Sequence, residues 1–229
     1  MIAHRLVPLA FAFVATTAFA QDSYKLESLK TPPPDALAPA IRDELQSQGY
    51  RLLDGQGNVY AEIWLRKVIP ASGKPEGPKG TILFPVLSEG EVLGALRFPA
   101  EGHDYRDQSI PKGVYTLRYG LQPVNGDHLG VSPYRDYALL LPAGKDKELK
   151  DLPRKALEER SAEAAGTTHP AILMLFTAPE SSVKGEVAPI HDDAKNTWGV
   201  PLPLKLGVKG EPQSPALPVQ LVVIGVAAT

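Results

Sequence analysis

Over residues 59–68 apolar and polar side chains alternate, with Val59, Ala61, Ile63 and Leu65 on one side and Tyr60, Glu62, Trp64 and Arg66 on the other. A period of two marks a strand in a sheet with one buried face. The Gly-rich turn at 54–58 joins this run to residues 50–53 and predicts a hairpin. Further strand-like runs follow at 81–87, 91–98, 113–121, 137–141, 171–176, 200–206 and 219–226, with Pro or Gly between almost all of them. The alternating helices of ten to fifteen residues that a parallel sheet needs are missing. The pattern therefore predicts an all-β fold, an antiparallel β-sandwich of jelly-roll or immunoglobulin-like type.

Two segments have helical character and read as small decorations. In residues 37–48, Pro39 suits the first turn, Ile41 and Leu45 share a face, and Gly49 supplies the stop. In residues 152–165, Asp151 is a good N-cap, Pro153 falls in the first turn and Gly166 can close the helix. That second segment, LPRKALEERSAEAA, has almost no apolar stripe and is expected to be a solvated insertion near 151–166.

The first twenty residues change the picture. His4 and Arg5 precede an apolar run of fourteen residues, 6–19, and Ala18-Phe19-Ala20 offers a small-x-small site before Gln21. This reads as a signal peptide cleaved between Ala20 and Gln21, and the run is short of the roughly twenty residues of a membrane span. The expectation is a periplasmic or secreted protein with no membrane span after cleavage. Residues 21–36 then read as an extended leader ending in a Thr31-Pro32-Pro33-Pro34 spacer, and 37–229 as one domain.

Composition narrows the partners. With no cysteine, neither a disulfide nor a thiolate nucleophile is available. Without Arg5 the remaining chain has 23 basic and 26 acidic residues, a net charge of −3. Neither sign dominates and no long charge run is present, so nucleic acid and anionic membrane surfaces are not expected as partners.

Suggestive polar chemistry gathers in the two loops flanking 113–121. The first holds His103, Asp104, Tyr105, Arg106 and Asp107; the second, Asn125 to Gly130, is a turn with His128 near its tip. His103, Asp104 and His128, with His191 from a later loop, could ligate a divalent metal such as Cu or Zn. The plainer reading of the first loop has Arg106 pairing with Asp104 or Asp107 while Tyr105 plugs the core edge. Arg118 shares a strand face with Val114 and Thr116. Near Asp136 and Arg135, it reads as half of a cross-strand ion pair, or as a bidentate holder of a ligand carboxylate. Hydrolase signatures fail: there is no G-x-S-x-G, and Ser132 is followed by Pro133.

The blocks EIWLRKVIP, LGALRF and DYRDQSIPKGVYTLRYGLQPVNGDHLGVSPYRDYALLLPA, within residues 59–142, resemble an exported bacterial family of uncharacterised domains carrying a GVYTLRYGLQP-type strand. The resemblance covers about a third of the chain. It implies a β-sandwich and export, and brings no activity or catalytic residue.

Together these features point to an exported, non-catalytic binding or interaction module for an unknown extracellular or periplasmic ligand or protein. Arg118, Arg135 and Asp136 are its candidate ligand-binding residues. A metal-binding protein using His103, Asp104, His128 and His191 is the alternative, and an unrecognised hydrolase is the second alternative.

Overall fold

The computed structural model describes residues 23–124, 132–184 and 187–226. The chain is mostly β. In chain order its strands are β1 (Lys25–Leu29), β2 (Gly49–Leu53), β3 (Val59–Leu65), β4 (Ile69–Ala71), β5 (Val92–Phe98), β6 (Gly102–His103) and β7 (Ser109–Ile110). They continue with β8 (Gly113–Leu121), β9 (Asp136–Pro142), β10 (Ile172–Thr177), β11 (Ile190–Asp192), β12 (Thr197–Val208) and β13 (Ala216–Ile224). Helix α1 spans Pro39–Arg42 and α2 spans Arg154–Ala165.

The two packed sheets of a sandwich are replaced by one sheet curled into a half-barrel. Its strands run β1-β2-β3-β5-β8-β9-β10-β13-β12-β11, each antiparallel to its neighbour, while β6 and β7 form a separate hairpin. β4, just after β3, pairs in parallel with Leu206, Gly207 and Val208 of β12 and so ties the far part of the sheet back to its start. Register shifts in β2, β5 and β12 raise the local twist that drives the curl. At the β5 shift, Gly94 is required because a Cβ there would collide with the Trp64 carbonyl.

Buried residues from ten strands converge on one core. Ile63, Leu96, Leu117, Leu140, Leu173 and Leu221 belong to it, and so do Leu83, Phe84, Val86 and Leu87. Those last four lie in the run 81–87, expected as a strand, which is instead a turn-rich plug in the hollow of the sheet. Gly80 in a left-handed conformation (φ 60°) and Pro85 interrupt any ladder, and the carboxylate of Asp136 takes the place of a neighbouring strand. It accepts from the N–H groups of Leu83 (2.7 Å) and Phe84 (3.0 Å) and from the Tyr119 hydroxyl (2.6 Å).

The outer face is covered as well, which corrects the expectation of one solvated face. Glu62 is only 3% exposed, held between Arg51 (2.8 Å) and Arg97 (2.6 Å). Trp64 beside it packs with Leu29, Leu37 and Leu45, and its indole N–H donates to the Thr31 carbonyl at 2.9 Å. The segment read as an extended leader supplies an edge strand, β1, and part of this covering layer. Over β9 the cover is α2, which buries Leu157, Ser161 and Ala164 at i, i+4 and i+7. Two small residues and one leucine suffice for helix-on-sheet packing yet scarcely register as an apolar stripe. Gly166, at φ 64°, closes the helix as expected.

Candidate functional site

The arginine expected to face Asp136 faces Asp146 instead. Along β8, Tyr115, Leu117 and Tyr119 point into the core, so Thr116 and Arg118 point outward. Residues 143–152 pass over that outer face and bring in Asp146. Its two oxygens meet Arg118 Nε and Nη2 at 2.8 Å each, and the Thr116 hydroxyl donates to it at 2.5 Å. The remaining Arg118 donors reach the carbonyls of Gly90 (2.5 Å), Lys150 (3.0 Å) and Glu148. A guanidinium has five N–H donors, and Arg118 uses all five while fully buried. The carboxylate held bidentately belongs to the chain itself.

Arg118, Arg135 and Asp136 thus do not converge. Asp136 lies on the core side with Tyr119, whose phenol is raised far above its ordinary pKa by burial and by that carboxylate. Arg135 donates through Nε to the Gln122 carbonyl at 2.6 Å.

The metal candidates are also apportioned to different partners. Asp104 is buried and accepts from the N–H groups of Arg106 (2.8 Å), Gln108 (2.9 Å) and Ile172 (3.1 Å), and from Gln108 Nε2 (2.8 Å). His103 is half exposed, with Nδ1 3.3 Å from Asp107, and lines a recess of about 260 Å³ with Tyr24 and Tyr60. His191 stacks on its cross-strand partner Trp198 with ring centres 4.0 Å apart, and its Nδ1 is 3.0 Å from Asp193. His128 lies outside the described residues. Among the described residues no three His, Asp or Glu side chains group as a metal site.

What the structure does assemble is a groove of about 590 Å³ on the outer face, between α2 and the ends of β8 and β9. Its floor is Tyr137, Ile172, Pro123 and Pro170. One wall is α2, which presents Lys155, Glu158, Glu159 and Ala162, positions i, i+3, i+4 and i+7 of a single helix face. The opposite side carries Arg106 from the β6–β7 loop, with Thr168 and His169 beyond the helix. Burial pushes the Tyr137 phenol up to about 12, so at neutral pH it is an uncharged hydroxyl.

The two loops bordering the groove are locked to each other. Gln108 Nε2 donates to the Pro170 carbonyl at 3.1 Å as well as to Asp104, and its Oε1 lies 2.6 Å from Thr167 Oγ1. Thr167 Oγ1 in turn accepts the His169 N–H at 3.1 Å. Tyr105, buried beneath, packs with Leu139 and Leu157, and its N–H donates to the Ile172 carbonyl at 2.8 Å. Asp107 completes the turn at φ 61°, a left-handed conformation that Asp tolerates better than most residues.

Arg106 is the consequence of that loop. The expected pairing with Asp104 is made by its backbone, while its guanidinium bonds to no described residue. Among residues bearing on the groove, Glu158 is paired with Arg154 at 2.9 Å, and Lys155 is 3.9 Å from Glu159. The i, i+3, i+4, i+7 set on α2 was readable in the sequence as one helix face; Tyr137 and His169 carried no signal that separates them from core and loop residues. No family model, curated protein or solved structure matches this chain.

Proposed function

We propose that this protein is an exported, non-catalytic binding module whose ligand sits in the groove beside α2. The observation that carries the reading is the groove itself: about 590 Å³, apolar at the floor, with loops held by a closed hydrogen-bond network. Small-molecule sites are concave, largely preformed, within roughly 300–1,000 Å³, and apolar with a few placed polar groups. Groove-lining hydroxyls belong to Tyr137 and Thr168, and neither is hydrogen-bonded to a described histidine or carboxylate side chain, which supports binding over nucleophilic catalysis. Residues 1–20 and the resemblance of the 59–142 blocks support export.

Titration with N-phenyl-1-naphthylamine, an uncharged dye that brightens in apolar sites, tests the reading. Saturable one-to-one binding is expected, weakened at least about tenfold by Ala162→Trp, which fills the groove from the helix side. Saturable binding unchanged by that substitution, or no binding, overturns it.

A further inference from the structure

We infer that the groove takes a small amphiphile, an apolar chain or ring ending in one anionic head group, with Arg106 gripping the head. This deepens the proposed function and rests on the groove being the binding site. The floor residues Tyr137, Ile172, Pro123 and Pro170 offer apolar surface to the body of such a ligand. The groove is lined by two cations, Arg106 and Lys155, and two carboxylates, Glu158 and Glu159, and their pairing is uneven. Glu158 is taken by Arg154, which also donates to the Leu121 carbonyl at 2.9 Å, and Glu159 is met by Lys155 at 3.9 Å. That leaves the Arg106 guanidinium as the cation on the groove with no partner among the described residues.

Its position is set by more than its own flexible stem. Asp104 fixes the Arg106 backbone through two N–H groups of the turn, and Gln108 ties the turn to the loop that bears His169. A planar guanidinium on a fixed mount suits carboxylate or phosphate, which it grips through two parallel N–H donors. His169, whose ring bonds to no described residue, adds a second polar group on the same side of the groove. The lining carboxylates Glu158 and Glu159 each already have a cation beside them, which disfavours a cationic amphiphile, and a neutral one leaves Arg106 unused.

The test is displacement of N-phenyl-1-naphthylamine from the purified protein by decanoate, decyl phosphate, decanol and decyltrimethylammonium, each below its micelle concentration. Decanoate or decyl phosphate should displace the dye at about tenfold lower concentration than decanol, and decyltrimethylammonium should be weakest. Whichever anion leads assigns the head as carboxylate or phosphate. Arg106→Gln should erase the anionic advantage while leaving decanol unchanged, and Lys155→Gln should reduce it less. Equal displacement by decanoate, decyl phosphate and decanol overturns the anionic ligand but leaves the groove as a binding site. An anionic advantage that survives Arg106→Gln overturns the role of Arg106. Dye binding that none of the four competes with, and that Ala162→Trp leaves intact, removes the groove reading itself.

Discussion

Arg118 and Arg106 sit in the same mostly β domain and do opposite things. Arg118 is fully buried on the outer face of β8, and every one of its donors is consumed by Asp146 and three carbonyls. Arg106 stands on the groove, its backbone anchored and its guanidinium bonded to no described residue. Arg118 lies in mid-strand and Arg106 in a polar turn, a difference the sequence shows, but neither setting says whether a partner arrives. The difference lies in whether the fold supplies a partner. A charge that the chain satisfies internally holds the structure together; one left unsatisfied beside an apolar hollow is available to a ligand.

Removing one side of each environment should separate the two most sharply. Arg118→Met strands Asp146 in a dry site, and breaking such a pair costs about 3–5 kcal/mol. Urea unfolding should show that loss, whereas Arg106→Gln should stay within about 0.5 kcal/mol of the parent. A loss below about 1 kcal/mol for Arg118→Met would mean the 143–152 strap does not seal the pair from water.

Asp136 extends the contrast to the core side. Asp136→Asn removes the charge that two backbone N–H groups and the Tyr119 hydroxyl share, for an expected loss of about 2–3 kcal/mol. Dye binding in the groove should be unaffected, since the plug it holds lies across the sheet. Loss of binding in a still-folded Asp136→Asn protein would show that the two sides are coupled.

The buried tyrosines give a pH window. Burial raises Tyr60 and Tyr137 to about 12, whereas in the unfolded chain they ionise near 10. The folded form therefore holds protons that the unfolded form has lost. Their contribution to stability is complete below about pH 10 and is lost as pH rises toward 12, by up to about 1.4 kcal/mol per unit per tyrosine. Tyr60→Phe should flatten the alkaline slope of unfolding free energy by about one proton. An unchanged slope would mean Tyr60 is already open to solvent.

The smallest effect concerns the groove's frame. Gln108→Ala cuts the tie between the two bordering loops and should cost about 1 kcal/mol while weakening decanoate a few-fold. Affinity preserved at reduced stability would mean that Arg106 does not depend on that tie.

Much of the strand layout was legible. The run 113–121 coincides with β8, and 91–98, 137–141, 171–176 and 219–226 fall on β5, β9, β10 and β13 to within a few residues. Alternation and turn residues are local signals, and a strand obeys them locally. The run 81–87 misled because its apolar residues are closely clustered, and it forms a plug whose backbone is satisfied by a carboxylate 52 and 53 residues away. β1 was missed because its sequence, KLESL, buries only Leu29 and pairs at an edge. The β6–β7 hairpin has only two residues per strand.

The sequence by itself determined that the chain is mostly β, where most strands run, and that Gly166 ends the second helix. It also marked the 103–107 segment as chemically dense. Only the tertiary structure decided that the strands curl into one half-barrel, because curvature accumulates from bulges and from glycine contacts such as Gly94 against Trp64. Only the tertiary structure decided which charges are spent. Pairing depends on distances of a few ångströms between residues far apart in the chain, such as Arg118 with Asp146, and the same residue type reads identically in sequence whether its partner arrives or not.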